Sequence, residues 1–214
     1  MGKEIDLKKG EQSRHVNKAL KAISEGYIIA IPLEHSYAFA CDAFKHDAVR
    51  AMHVLRGDPL FTAAQVLVGS TKTAQGVVRE ITPEIGALMK KFWPGMLSMN
   101  LRPQTGLTWD LGDANQLDRV SIRVPRSKFA QALVAGSGPL AVASAVRVGR
   151  PIPKALSDIL VLDSDLALQF NYGSLRKGPI TTVLEADETG VRVIRVGAIS
   201  LAQIQSVAPG ATAI

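Results

Sequence analysis

Short apolar runs closed by proline or glycine recur along this chain, and stretches with a helical period lie between them. Tyr27 to Ile31 is a β-type run closed by Pro32, Val120 to Val124 one closed by Pro125, and Pro139 to Ala143 a third. Between these, Val16, Ala19, Leu20 and Ile23 share one face of a helix over 12–25, with Gly26 placed to end it. Val49, Met52 and Leu55 do the same for a helix that starts near His46 and ends at Arg56-Gly57-Asp58-Pro59. Thr82-Pro83-Glu84 supplies a cap, a proline at the first helical position and an acid in the first turn of a further helix, which stops at Trp93-Pro94-Gly95. Strand and helix in alternation predict an α/β fold: an open, twisted, mixed sheet with flanking helices, read as one domain over 1–214.

The rest of the chain fills this pattern. Ala64 to Val68 reads as a strand and Thr71 to Arg79 as a short helix. Met96 to Leu101 alternates, with Leu97, Met99 and Leu101 on one face and Ser98, Asn100 and Arg102 on a second face turned to a cleft. Residues 103–118 form a long polar connection. Lys128 to Ala135 is a helix ended by Gly136, and Ile159 to Leu162 a further strand. Asn171 to Pro179 is a basic loop. Thr181 to Glu185 and Val191 to Val196 make a hairpin, and 200–207 a last helix.

Composition narrows the function classes. No apolar run nears the ~18 residues of a membrane span, and the charged start Met1 to Lys9 has no apolar signal core, which predicts a cytoplasmic protein. Cys41 is the one cysteine, so neither a disulfide framework nor a cysteine metal site can form. A net charge of +6 makes anionic partners the natural class, nucleotides or RNA reached through its phosphates. Aromatic content of 5% leaves no base-stacking platform.

Familiar catalytic motifs are missing. There is no Gly-Lys-Ser/Thr loop, no Gly-x-Gly-x-x-Gly turn and no Gly-x-Ser-x-Gly elbow. His15, His35, His46 and His53 lack metal-ligand spacing and read as solvated residues, so no metal site is expected. What remains is a set of hydroxyls and guanidinium groups at strand ends: Arg56, Ser98, Arg102, Ser144, Thr181 and Arg195. Such groups recognise phosphates and carboxylates without supplying a nucleophile.

The order of several segments resembles a known family. Lys91-Phe-Trp-Pro-Gly-Met-Leu-Ser98 is similar to its Phe-Trp-Pro-Gly-x-Leu-Thr motif, and Ser121-Ile-Arg-Val-Pro125 to its Val-Arg-x-Pro segment. Pro139 to Pro151 resembles Pro-x-x-x-x-Ser-Ala-Asn-x-Ser-Gly-x-Pro, and Thr181 to Glu185 and Ile194 to Ala198 resemble its two closing motifs. This is the YrdC-like family of L-threonylcarbamoyladenylate synthases, matched in register from about Leu20 to Ile199. The resemblance implies a concave basic cavity and a reaction in which L-threonine, bicarbonate and ATP give threonylcarbamoyl-AMP and pyrophosphate, the first step towards a modified tRNA adenosine. ATP is then a substrate, accompanied by Mg²⁺. Carried over by position, Arg56, Ser98, Ser144 and Arg195 correspond to ATP-binding residues, and Arg102 and Thr181 to threonine-binding ones.

Four positions of the expected pocket depart from the family. Leu33 and His35 stand where it has two threonines, Asp58 replaces a cation, and Val146 replaces an asparagine. The Asp58 exchange changes local charge by two units, each worth roughly 3 kcal/mol at ~5 Å and an effective dielectric of ~20 before screening. Two functional classes follow: the family's synthase with a rebuilt site, or a non-catalytic relative that binds nucleotide or double-stranded RNA through the same cavity.

Overall fold

A computed structural model describes residues 3–114, 116, 118–161 and 166–214. The chain opens with β1 (Lys3–Asp6), α1 (Gln12–Ser24), β2 (Ile29–Pro32), β3 (Tyr37–Asp42) and α2 (His46–Arg56). It continues through β4 (Gln65–Leu67), α3 (Thr71–Val77), α4 (Pro83–Phe92), β5 (Leu97–Leu101), β6 (Val120–Arg123), α5 (Lys128–Ser137) and β7 (Leu140–Ser144). A 3-10 turn (Leu156–Asp158) precedes β8 (Leu168–Asn171), β9 (Thr182–Asp187), β10 (Gly190–Arg195), α6 (Leu201–Gln205) and β11 (Thr212–Ala213).

Local chemistry sets these boundaries. Thr82 caps α4 by accepting the Ile85 amide, and Ser127 caps α5 by accepting that of Ala130. Gly57 ends α2 in the left-handed conformation, at φ +66°. Gly136, expected to end α5, lies inside it instead. A Cβ there would come within 2.7 Å of Leu20, so its bareness is what lets α1 and α5 pack together.

The described strands join one open, mixed sheet in the order β1-β8-β2-β3-β7-β4-β6-β5-β9-β10-β11. Its central strands are apolar on both faces because helices cover both. Ile29, Ile31, Leu67, Leu140 and Val142 face α1 and α5, while Ala30, Phe39, Val66 and Ala141, one pleat out of step, face the core built on α2 and α4.

Two further expectations change. Residues 159–161 follow the 3-10 turn without strand pairing, and Leu162 lies outside the described residues. The 103–118 connection is not a polar excursion: Trp109 and Leu111 are buried in the main core, and Trp109 stacks on Phe44 at 5.6 Å between ring centroids. Asn115 and Leu117 within it are outside the described residues. The short strands at the two edges, β1 and β11, and β8 beside β1 carry too little alternation to be read from sequence.

Candidate active site

A cleft of about 630 Å³ crosses the sheet from β3 to β10. Its wall takes Ala38 from β3, Val142 to Ser144 from β7, Gln65 from β4, Arg123 from β6 and Arg195 from β10, and the loops 33–36, 151–154 and 177–181 complete it. Arg56, Arg123, Lys154, Lys177 and Arg195 face two carboxylates, Glu34 and Asp58, so the lining is net positive.

The deepest cation is Arg123, 2% exposed. An arginine in an apolar strand must be paired to be tolerated, and Nη1 donates to Glu34 Oε2 at 2.9 Å and to the Gly95 carbonyl at 3.2 Å. The Trp93-Pro94-Gly95 turn delivers that carbonyl. Trp93 Nε1 donates to the Leu97 carbonyl and the Gly95 amide to that of Val124, and a Cβ on Gly95 would lie 2.3 Å from the Phe92 carbonyl. Glu34 also accepts the Arg126 amide at 2.6 Å. Burial alone would push its carboxyl up, but the Arg123 charge and the Arg126 amide outweigh this and hold it below the usual range. The buried Arg123 Nε has no protein partner among the described residues, a donor that calls for a ligand or water.

Asp58 is spent on a second pair. Its oxygens accept Arg56 Nε and Nη2 at 2.8 and 3.0 Å, and Oδ2 lies 2.8 Å from His53 Nδ1. Burial opposes its ionisation, and the hydrogen bonds from Arg56 and His53 reverse that, so its carboxyl too is lowered. The negative charge that stands in place of a cation is therefore neutralised by its own neighbour. Arg56 Nη1 turns to the carbonyls of Ser144 and Val146, leaving one of its five N–H groups without an acceptor among the described residues.

Of the ten positions singled out in the sequence, Leu33, His35, Arg56, Asp58, Ser144, Thr181 and Arg195 line the cleft. Three do not. Ser98 is fully buried beneath Gln65, whose Nε2 donates to its hydroxyl at 2.7 Å. Arg102 lies past the end of β5 and pairs with Glu188 on the β9–β10 turn at 3.2 Å. Val146 turns its side chain into the protein, 7% exposed. The polar face expected of β5 thus packs against neighbouring strands.

Sequence reading passed over the Glu34–Arg123 pair, although an arginine inside Val120-Ser-Ile-Arg-Val124 was the available signal. It also missed Gln65, Lys154 and Lys177, which carry no local pattern. The histidines read as solvated are engaged: His53 is 12% exposed, His15 Nε2 donates to the Lys9 carbonyl at 2.6 Å, and the His35 ring lies against Gly178. Cys41 is no nucleophile, since burial pushes its thiol up to about 12.

An open mixed sheet with flanking helices bears a cleft whose described lining is net positive and whose two carboxylates, Glu34 and Asp58, are each paired with an arginine. The chain belongs to the Sua5/YciO/YrdC family, whose model, described as telomere recombination, matches residues 21–197. A Mycobacterium tuberculosis protein named provisionally as a threonylcarbamoyl-AMP synthase is 32% identical over 198 residues, 92% of this chain and 90% of that one. Pyrococcus abyssi Sua5 complexed with L-threonine superposes with a TM-score of 0.88 at 24% identity, covering all of this chain and 62% of that one. E. coli YciO superposes at 0.80 with 20% identity over 95% and 98% of the two chains. The chain therefore spans about three fifths of the archaeal Sua5. Among the described residues no helix is long and apolar enough to cross a membrane.

Proposed function

We propose that this chain is a threonylcarbamoyl-AMP synthase, joining L-threonine, bicarbonate and ATP with release of pyrophosphate and water, and so supplying tRNA modification. The observation that carries this reading is the division of the cleft's charge. One cation, Arg123, is buried and paired with Glu34, while among the described residues Lys154, Lys177 and Arg195 form no ion pair with the cleft's acids. A deep guanidinium suits the carboxylate of an amino acid, and the unpaired cations suit a triphosphate. The relatives named above support the same substrates.

The product's bonds fix what the site must do. The threonine amine forms a C–N bond to the bicarbonate carbon as water leaves. An oxygen of the resulting carbamate then forms a bond to the α-phosphorus of ATP, and the bond from that phosphorus to the bridging oxygen of pyrophosphate breaks. Neither step needs a protein nucleophile, so alignment and charge stabilisation are the tasks. In this reading Arg123 and the Thr181 hydroxyl bind threonine, and Ser144 and Arg195 hold the nucleotide. Arg195 is itself oriented by Thr181, whose carbonyl and Oγ1 accept its N–H groups at 2.8–3.2 Å.

Mg²⁺ does not fit a protein-held site here. Glu34 and Asp58 are each committed to an arginine, and the described residues offer no cluster of three metal-ligating side chains. The ion would travel with the triphosphate.

Pyrophosphate release from ATP and bicarbonate, measured with each amino acid in turn beside direct nucleotide binding, tests the reading. Release that requires threonine is expected. Nucleotide binding without release for any amino acid would instead mark a non-catalytic relative.

A further inference from the structure

Gln65 lies on the floor of the cleft, where the sheet changes character. Ala40, Val142 and Gln65 stand opposite one another on β3, β7 and β4. Beyond them Ser121, Asn100 and Glu185 stand opposite one another on β6, β5 and β9. Opposed residues point to the same face of a sheet, and Ser121 shares its face with Arg123, two residues along β6. The apolar part of this row therefore ends at Val142, and its polar part begins at Gln65. Both residues line the cleft.

The Gln65 amide is held in one direction. Its Nε2 carries two N–H groups, and two hydroxyls receive them, Ser98 Oγ at 2.7 Å and Ser121 Oγ at 3.3 Å. Both serines sit on strands, and Ser98 is fully buried, so the amide cannot swing without giving up these bonds. With Nε2 spent in this way, Oε1 is left without a protein partner among the described residues. It is an uncharged acceptor of fixed direction. The carboxylates of the cleft do not offer the same thing, because Glu34 and Asp58 are each committed to an arginine. A matching donor lies on the same floor: Arg123 Nε, buried and without a protein partner among the described residues.

We propose that Gln65 is a specificity-determining residue for the amino-acid substrate: Oε1 accepts the hydrogen bond of the side-chain hydroxyl, while Val142 faces the methyl group on the same carbon. The proposal rests on the reading of this cleft as a threonylcarbamoyl-AMP synthase site with Arg123 as the carboxylate anchor. An amino acid whose carboxylate accepts from Arg123 lays its side chain along the floor, where one direction is apolar and the other offers an acceptor. Threonine, with a methyl and a hydroxyl on one carbon, suits that boundary. Valine would set a second methyl against Oε1 and leave a desolvated acceptor unpaired. An apolar pocket separates a hydroxyl from a methyl poorly, whereas a site that hydrogen-bonds the hydroxyl rejects the analogue lacking it.

Calorimetric affinities of the whole chain for L-threonine, L-serine, L-valine and L-2-aminobutyrate, with a non-hydrolysable ATP analogue present, test this beside pyrophosphate release with each amino acid. Gln65→Met keeps the length of the side chain and removes the acceptor. In it the preference for threonine over valine and over 2-aminobutyrate should fall by roughly ten- to a hundredfold. The preference for threonine over serine should hold, since both carry the hydroxyl. In Ser98→Ala the amide loses one of its two bonds, and the preference for threonine over valine should fall by a smaller factor. That variant decides should Gln65→Met fail to fold. An unchanged preference for threonine over valine would overturn the proposal and leave the synthase reading in place. So would an equal loss for all four amino acids, the pattern of an acceptor that holds the shared amine or of a merely structural side chain. Wild-type protein that takes none of the four would overturn both.

Discussion

At the scale of single residues, the cleft is governed by two arginine–carboxylate pairs that differ in depth. Glu34→Gln leaves Arg123 buried with an uncompensated charge, and should cost roughly 3–5 kcal/mol of stability in urea unfolding. The pH dependence follows in sign. Glu34 and Asp58 both have lowered folded-state values, so each stabilises the fold above the ordinary carboxylate range of about 4. That contribution is lost as pH falls through the folded values. Glu34→Gln should therefore show a shallower loss of stability below about pH 4 than the wild type, a difference read from unfolding midpoints across that range. Asp58 also marks the limit of position-by-position reasoning. The sequence shows a carboxylate where a cation is expected, but whether it faces ligand or partner depends on the αL turn at Gly57, which brings Asp58 back onto Arg56.

At the scale of elements, the site is made by turns and connections more than by strands. The strands were legible because proline closes them, as Pro32 and Pro125 do here. The connection over 103–118 was not legible: its Trp109 and Leu111 fall in a polar, glycine-bearing stretch with neither helical nor strand period, and only the tertiary pocket beside Phe44 buries them. Gly112→Ala tests its fit. A side chain at φ +103° is strained and meets the His53 ring and the Thr62 carbonyl, so thermal unfolding should show a loss of at least about 1–3 kcal/mol. Gly95→Ala, where the obstacle is backbone, should fall at the severe end of single substitutions, above about 3 kcal/mol. A near-neutral result at either position would show that the turn is drawn wrongly.

At the scale of the whole molecule, an open sheet covered on both faces carries a cleft whose positive charge exceeds its negative. Affinity for ATP should therefore fall as ionic strength rises from 0.05 to about 0.3 M, since the Debye length shrinks below ~10 Å over that range, and binding isotherms at several salt concentrations would show it. The fold was readable from alternation and from the Trp93-Pro94-Gly95 and Pro139–Pro151 segments. The site was readable only in part, because Lys154, Lys177 and Gln65 reach the cleft from three different segments and nothing in their own neighbourhoods says so. The central claim is that the cleft joins an amino acid, bicarbonate and ATP by alignment and charge stabilisation, without a protein nucleophile. Incubation with ¹³C-bicarbonate, L-threonine and ATP, followed by mass analysis of the nucleotides, tests it most directly. The account predicts a labelled threonylcarbamoyl adenylate that requires all three substrates and is lost in Arg123→Ala. ATP recovered intact, or an adenylate formed without label from bicarbonate, would contradict it.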